Sequence, residues 1–295
     1  SVKLGAAGVG GGYYAFSNAF AQIASSEDED LDFEVKATAG STANIRLLSD
    51  GYVDMAIAQA DLVDAAYNGT GATDKKRYRG YSAVASLYTE ECQIVVRADS
   101  GIDSLDDLQG KKISVGEEES GTQRNAEQIL KMTGLVESLV DTVNLDYVDA
   151  ANELKSGQID AFFCTAGIQT SVIEELSKEC DVKLIGIDDK CRDRLKSVYG
   201  FYTDYTIPAG TYEGQTQDVV TLGVRAVLLA RDDMDEKIVE ELTGLLFEHA
   251  QDIQYSIALT FQIDESEAVK NVTIPFHDGA KAYYQKKEIE IPAEQ

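Results

Sequence analysis

The sequence is poor in basic side chains and in histidine. Its 295 residues include 26 basic and 52 acidic residues and two histidines, which gives a formal net charge of −26. Nucleic-acid binding needs basic side chains to neutralise phosphates, so this balance argues against a nucleic-acid partner. A high net charge also keeps a chain soluble and monomeric. We therefore expect a monomer that does not bind nucleic acid.

Long apolar runs are also missing. No segment approaches the ~18 to 20 apolar residues that a membrane-spanning helix requires. The chain starts at Ser1, next to a strand pattern, without the basic and apolar regions of a leader. Two alternatives follow from this start. Either the protein is cytosolic, or a signal segment has been trimmed from it.

Motifs for cofactors, metals and nucleophilic catalysis are absent. The sequence contains no C-x-x-C pair, no G-x-S-x-G motif, and no histidine with a metal-ligating partner at i+4. We predict neither a cofactor nor a metal. Cys164 follows an apolar strand, where a nucleophile could sit, but the packed thiol is favoured because no basic partner is visible nearby. Cys180 and Cys191 flank a short strand, and a disulfide between them is favoured slightly over two free thiols.

A glycine-rich turn follows the first strand pattern. The stretch AAGVGGGYYAFSNAF reads as strand, glycine turn and helix, but Tyr13 occupies the last glycine position of a dinucleotide fingerprint that starts at Gly8. Glycines let a ligand approach the backbone, and the unpaired N–H groups of a helix start suit an anion. The alternatives are therefore an anion-binding loop and a tight turn without a ligand.

One pattern occurs twice in the sequence. LSDGYVDMAI begins at Leu48 and LKSGQIDAFF begins at Leu154, and each reads as a helix end, a glycine cap and a buried strand. A strand, loop and helix pattern precedes each copy. Alternating strands and helices predict α/β sheets, and ligands of such sheets bind at the carboxyl ends of strands. The sequence therefore predicts two similar α/β lobes.

Two long apolar strands mark the lobe boundaries. They lie near Val95 and Val224, and a strand that crosses between lobes acts as a hinge. We predict a discontinuous first lobe and a second lobe formed by the middle of the chain. The boundaries are 1–94 plus 223–295 for the first lobe and 95–222 for the second, with hinge strands near 92–98 and 219–228.

Further motifs extend from the first residues almost to the last. They are Gly11-Gly12 with Tyr13-Tyr14, TAGSTANIRLL (38–48), AQAD (58–61), VVRADSGIDSLDDLQGKKISVG (95–116), ESGT (119–122), GQIDAFFCTAG (157–167), IPAGTYEGQ (207–215) and FHDGAKAYY (276–284). On these residues the chain resembles the TAXI family of solute receptors, which serve the tripartite, ion-driven TRAP uptake systems. The sequence departs from the family pattern at Ala60, Cys164 and Thr165, which lie beside the expected pocket.

The resemblance implies a fold and a function. The fold is the two-lobed type II periplasmic-binding-protein fold, in which each lobe is a sheet flanked by helices and the ligand cleft lies between the lobes. The function is extracytoplasmic capture, in the periplasm or anchored outside the cell membrane, of a small organic anion or amino acid. Glutamate and 2-oxoglutarate are typical ligands, and a TRAP membrane permease receives them. The alternatives are a small-carboxylate enzyme that uses Cys164 and a ligand-sensing module.

The expected ligand site combines both lobes. We predict that a ligand carboxylate binds at the helix start Ser120-Gly121-Thr122, through backbone N–H groups and both hydroxyls. The opposite wall is expected from Gly12 and Tyr13 and from Ser41 or Asn44. The remaining predicted ligand-binding residues are Tyr14, Gln59, Tyr88, Cys164, Thr165, Gly167, Tyr205 and Tyr212.

Overall fold

The computed structural model describes residues 1–257 and 263–293. Within these ranges, no helix has the length and apolarity needed to cross a membrane. The chain divides into two compact units. Unit 1 comprises Ser1–Ala7, Tyr13–Thr89 and Arg225–Gln295, and unit 2 comprises Gly8–Gly12 and Glu90–Val224.

Strands and helices alternate along the chain, as the α/β class predicts. The strands are β1 (Val2–Gly5), β2 (Phe33–Lys36), β3 (Met55–Gln59), β4 (Tyr81–Arg97), β5 (Lys112–Ser114), β6 (Asp141–Val143), β7 (Ala161–Ala166), β8 (Val182–Leu184), β9 (Thr203–Ile207) and β10 (Val219–Arg231). The α-helices are α1 (Gly12–Glu27), α2 (Ser41–Ser49), α3 (Ala60–Asn68), α4 (Gly121–Met132), α5 (Tyr147–Ser156), α6 (Ser171–Glu179), α7 (Asp189–Val198), α8 (Glu236–Glu248), α9 (Ala250–Ile257) and α10 (Asp278–Lys286). A 3-10 helix covers Leu105–Leu108.

The two units have the same strand wiring. In unit 1 the order is β2-β1-β3-β10, in which β1 is parallel to β2 and β3, and β10 is antiparallel to β3. In unit 2 the order is β6-β5-β7-β4, in which β5 is parallel to β6 and β7, and β4 is antiparallel to β7. Strand β8 pairs with β4, and β9 pairs with β10. The long strands β4 and β10 are each divided between the units, and the hinge in them stays a prediction.

The aspartate of the repeated motif has the same role in both units. The Asp54 carboxylate accepts the N–H of Lys3 at 2.8 Å, and the Asp54 N–H donates to the carbonyl of Lys3 at 2.8 Å. The Asp160 carboxylate accepts the N–H of Lys112 at 2.9 Å, and the Asp160 N–H donates to Lys112 O at 2.8 Å. Each aspartate therefore ties the strand it precedes to the neighbouring parallel strand, which is β1 in unit 1 and β5 in unit 2.

Glycine ends the helix in both copies of the motif. Gly157 directly follows α5 with φ of 81°, and Gly51 lies one residue beyond the cap of α2, also with φ of 81°. A side chain at such a φ is strained, so glycine is the favoured residue for this turn. In each copy of the repeated motif, a glycine ends the helix and an aspartate then bonds to the neighbouring strand.

The predicted disulfide between Cys180 and Cys191 is absent, and both are free thiols. Strand β8 is short, and α7 begins at Asp189, so the segment between the cysteines does not form one strand. Cys191 packs in a buried cluster with Ile94, whereas Cys180 packs against a second cluster that contains Val95. Adjacent residues of a strand face opposite sides of a sheet, so the two thiols lie on opposite sides. This geometry corrects the disulfide prediction.

Candidate functional site

Polar side chains gather beyond the carboxyl ends of β5 and β7 in unit 2. Thr122 lies in the first turn of α4 and is buried. Its hydroxyl oxygen accepts the backbone N–H of Thr165 at 3.1 Å and lies 2.7 Å from the hydroxyl of Tyr147. Gly116 precedes this turn with φ of 88°, and a Cβ there would lie 2.9 Å from the Thr122 methyl group. The predicted residues Thr122 and Thr165 are therefore in direct contact.

Ser120 is the N-cap of α4, as its sequence position predicts. Its hydroxyl oxygen accepts the N–H of Gln123 at 3.0 Å, and its hydroxyl hydrogen is donated to the carbonyl of Glu117 at 2.6 Å. A hydroxyl has one hydrogen to donate. In this arrangement the Ser120 hydroxyl cannot donate to a ligand, so the structure supports a capping role for this side chain.

A buried network of polar side chains fixes the position of Thr165. Its hydroxyl donates to the side-chain oxygen of Asn125 at 2.9 Å, and the Asn125 amide donates to the hydroxyl of Tyr202 at 2.8 Å. Tyr202 in turn donates to the side chain of Gln128. Networks whose members are hydrogen-bonded fix side-chain positions. The end of β7 is consequently held against α4.

Tyr147, the first residue of α5, belongs to the same group and was not predicted. Its ring packs under the glycine-rich turn, because a Cβ on Gly11 would lie 2.8 Å from the ring, and one on Gly8 would lie 3.5 Å from it. Burial raises the pKa of its hydroxyl well above the usual range, so the phenol stays protonated. The sequence contained one signal for it: Tyr147 stands as far before Leu154 as Ser41 stands before Leu48.

The glycine-rich turn caps a helix of unit 2. The carbonyl of Gly10 accepts the N–H of Val172 at 3.2 Å and the hydroxyl of Ser171 at 3.1 Å, both in the first turn of α6. Gly10 has φ of 89°, and a Cβ there would lie 3.0 Å from the Val172 Cβ. Close packing against α6 and Tyr147 is therefore sufficient to explain the glycines, and ligand binding by Gly12 stays a prediction.

Asn44 is a structural tie in unit 1. It is fully buried, and its amide donates to the carbonyls of Ala6 at 2.5 Å and Ile57 at 2.8 Å. Its side-chain oxygen accepts the hydroxyl of Thr38 at 2.6 Å. Both amide hydrogens of the side chain are thus committed, one to Ala6 directly after β1 and one to Ile57 in the middle of β3. A ligand that accepts a hydrogen bond from the Asn44 amide would have to break one of these bonds.

Three of the predicted ligand-binding residues come together in unit 1: Ser41, Gln59 and Tyr13. The Ser41 hydroxyl accepts the N–H of Gln59 at 3.1 Å and lies 3.5 Å from the Tyr13 hydroxyl. Ser41 starts α2, whose N-cap Gly40 provides no side-chain cap, and the first turn carries no acidic residue. Helix starts of this kind favour negative charge, because their N–H groups lack partners within the helix.

The other predicted tyrosines differ in their surroundings. Tyr88 is fully buried in unit 1 with its ring centroid 6.0 Å from that of Phe16, which is a core position. The hydroxyl of Tyr212 donates to Gln93 and accepts the N–H of Thr170 at 3.1 Å, so it holds the turn before α6. The rest of the predicted set consists of half-buried Tyr14 on α1, half-buried Tyr205 on β9, and Gly167, whose carbonyl accepts the Thr170 hydroxyl at 2.9 Å.

Cys164 does not have the properties of a nucleophile. It is fully buried in β7, and burial raises the pKa of its thiol far above the usual range. A hydrogen bond from Tyr147 opposes this shift but is the smaller effect. The reactive form of cysteine is the thiolate, so a thiol held in its neutral form is unreactive. The described residues also contain no group of three potential metal ligands.

Two buried acidic residues of β4 were not predicted. Glu91 is fully buried, and its neighbour Glu90 is 2% exposed. Neither carboxylate oxygen of Glu91 has a hydrogen-bond partner in the part of the chain that the structure describes. Burial, and then the charge of Glu90, raise the pKa of Glu91 well above its ordinary value. Glu91 pairs across the sheet with Ala166, the last residue of β7.

Comparisons with known proteins fit this architecture. A family model described as the NMT1-like family matches residues 4–288. A putative L-cystine ABC transporter from Listeria monocytogenes is 13% identical, with a TM-score of 0.55, over 90% of this chain and 98% of that one. An ancestral arginine-binding protein bound to arginine is 17% identical, with a TM-score of 0.54, over 87% and 97%. The alkanesulfonate-binding protein SsuA from Xanthomonas axonopodis pv. citri, bound to MOPS, is 14% identical, with a TM-score of 0.52, over 87% and 78%. The predicted fold class, that of the periplasmic binding proteins, is thereby confirmed.

Proposed function

We propose that this chain, which belongs to the NMT1-like family, is an extracytoplasmic solute-binding receptor and not an enzyme. Its fold is shared with proteins named for binding amino acids and sulfonates. The observation that carries the proposal is the group of hydroxyls at the carboxyl ends of β5 and β7, formed by the buried Thr122 and Thr165 and the half-buried Tyr147. Small-ligand sites in α/β sheets lie at this edge and combine a few polar groups with apolar walls.

The ligand is a small carboxylate, either an amino acid or a dicarboxylate such as glutamate or 2-oxoglutarate. The acid-free starts of α2 and α4 support this choice, since helix N-termini stabilise anions without a buried basic side chain. In unit 2 the backbone N–H groups near Gly121 and Thr122 are the proposed donors.

The partner is a membrane permease of the TRAP type. The motifs shared with TAXI receptors support this partner, IPAGTYEGQ and DAFFCTAG in particular. Membership of an ABC transporter is the second candidate, because one protein of similar fold is named as such a transporter. Uptake of a labelled ligand into vesicles that contain either permease class, with and without this protein, separates the two. Uptake that depends on the protein only with an ABC permease would exclude the TRAP assignment.

Binding can be tested by thermal shift and calorimetry with L-glutamate, 2-oxoglutarate, succinate and a set of amino acids. Ligand at 100 times its Kd should raise the free energy of unfolding by about 2.7 kcal/mol. Turnover of any of these compounds by the purified protein would instead support an enzyme.

The site itself is tested by Thr122→Val and Tyr147→Phe. Each removes one hydroxyl and keeps the size of the side chain, and we expect either change to weaken binding about 10-fold or more. Thr142→Val, at an exposed position of β6, is the matched control and should leave Kd unchanged. Unchanged affinity in both Thr122→Val and Tyr147→Phe would show that the ligand does not bind at this edge of unit 2.

A further inference from the structure

Glu91 combines deep burial with the absence of a partner. Its side chain is fully buried, and both carboxylate oxygens lack a hydrogen-bond partner among the described residues. Buried carboxylates in folded proteins are normally paired or hydrogen-bonded, because removing a charge from water is costly. Something outside the described contacts should therefore satisfy this group.

The position of Glu91 points to the ligand site. Strand β4 runs antiparallel to β7, so Glu91 lies opposite Ala166, where β7 ends. The next pair along the two strands is Cys92 with Thr165, and Thr165 bonds to Thr122 through its backbone N–H. Glu91 thus lies at the same edge of the sheet as the proposed hydroxyl group.

The groups that act on Glu91 supply no positive charge. They are the neighbouring carboxylate of Glu90 and the backbone N–H groups of Glu91 and Ile168, whose dipoles oppose the rise in the pKa of Glu91 although neither N–H forms a hydrogen bond of normal geometry with the carboxylate. Glu91 also lies close enough to the hydroxyl of Tyr212 to raise its pKa. Glu90 in turn lies near Tyr147 and Cys164, so the second carboxylate borders the proposed site as well. This edge of unit 2 therefore contains two buried carboxyl groups, Glu90 and Glu91, which disfavour a ligand that carries only negative charge.

We propose that Glu91 provides the counter-charge for a cationic amino group of the ligand, so that the receptor selects amino-bearing carboxylates over carboxylates that lack the amine. The inference rests on the proposed function and chooses between its two ligand classes. The ligand carboxylate binds the N–H groups of a helix start, and the amino group binds Glu91. Charge pairing is strong in such an enclosed place, because the effective dielectric constant is low.

Matched ligand pairs test this selection in the wild-type protein. L-glutamate is compared with glutarate, and L-leucine with 4-methylpentanoate, by calorimetry at one pH and salt concentration. Each pair differs only in the amino group. We expect the amino member of a bound pair to bind at least ~10-fold more tightly. Equal or tighter binding of the member without the amine would overturn the inference and leave the proposed function standing.

A substitution then assigns the preference to Glu91. Glu91→Gln keeps the shape and removes the charge, so the preference for the amino member should fall to about threefold or less, with little change for the other member. Glu118→Gln, an exposed residue before α4, removes the same charge outside the site and should keep the full preference. A preference that survives Glu91→Gln would refute the role of Glu91.

Two further outcomes remain distinguishable. Should Glu91→Gln not fold, as judged by circular dichroism, the wild-type pairs still decide the selection, and Glu91→Asp tests the residue by shortening it. The expected result for Glu91→Asp is a weaker preference than in the wild type, and an undiminished one counts against the assignment. If no member of any pair binds the wild-type protein, the proposed function fails first, and this inference fails with it.

Discussion

Units 1 and 2 share their scaffold and differ in what surrounds it. Each has one strand between two parallel neighbours, an antiparallel long strand, and an aspartate that ties two parallel strands together. The helix before each aspartate starts differently. Asp146 caps α5 with its carboxylate, whereas α2 starts at Gly40 without a side-chain cap. The two units thus have the same arrangement of strands, but the starts of α2 and α5 differ in charge, because only α5 has a carboxylate at its N-cap.

The buried positions of these two helices differ as well. Asn44 in α2 uses its amide to join β1 and β3, and the equivalent position in α5 is Ala150, which is apolar and buried. In unit 2 the end of β7 is instead bonded to Thr122 of α4, whose hydroxyl accepts the N–H of Thr165. Strands are therefore tied by a side chain of α2 in unit 1 and by a side chain of α4 in unit 2. As a result, the polar side chains that take part in these ties differ between the units.

The largest expected effect breaks the tie that only unit 1 has. Asn44→Ala removes the amide that donates to the carbonyls of Ala6 and Ile57, and Ala6 keeps only the Thr38 hydroxyl at 3.2 Å. We expect a loss of about 3 kcal/mol in the free energy of unfolding. Urea denaturation measures this loss. Asn18→Ala, at an exposed site of α1, is the control and should change stability by under about 0.5 kcal/mol. A small loss in Asn44→Ala would mean that the tie contributes little to unit 1.

The next largest effect on stability is expected in the glycine-rich turn Gly8–Gly12, which belongs to unit 2. Gly10→Ala should cost about 2 kcal/mol, since it adds a Cβ at a positive φ and places it 3.0 Å from Val172. Gly134→Ala has a similar φ of 78° but open space around the added Cβ, and should cost about 1 kcal/mol. The difference between the two variants isolates the packing against α6, and equal losses would contradict that contact.

A third prediction concerns pH, and it uses the acidic residues of unit 2. The folded-state pKa of Glu91 is raised by burial, so its contribution to stability is complete below the unfolded-state value of about 4.3 and is lost as pH rises through the folded-state pKa. One such group gives a slope of at most about 1.4 kcal/mol per pH unit. Glu91→Gln should remove this slope relative to the wild type, measured by urea denaturation without ligand. Parallel pH profiles would show that Glu91 titrates normally.

The smallest expected effect tests whether Asp54 and Asp160 have equivalent roles in the two units. Asp160→Asn replaces a charged acceptor of a backbone N–H with a neutral one, and we expect a cost of about 1 kcal/mol. Asp54→Asn should cost slightly more, because Asp54 also pairs with Arg231 at 3.1 Å. Thermal denaturation of both variants provides the comparison. The reverse order would contradict the equivalence of the two ties.

The periodic features of the fold could be predicted from the sequence. The repeated motif indicated two α/β units, and Ser120 was placed correctly at a helix start because capping depends on neighbouring residues. The site was harder to predict, since it depends on partners distant in the chain. Asn44 and Tyr212 carry the polar groups of binding residues, but their partners turn out to be protein atoms. Glu91 lies in a strand whose other residues are mostly apolar, and only tertiary structure reveals that its carboxylate is buried without a partner.

The cap that Gly10 provides to α6 has a consequence for dissecting the protein. Unit 2 is interrupted in sequence: Gly8–Gly12 belongs to it, whereas the rest of it starts at Glu90. A fragment cut at the long strands, from Glu90 to Val224, would lack the carbonyl that accepts the N–H of Val172 and would leave the half-buried Tyr147 ring more exposed. An engineer who wants this half as a free-standing module, for instance for a split biosensor, would need to graft a glycine turn onto it.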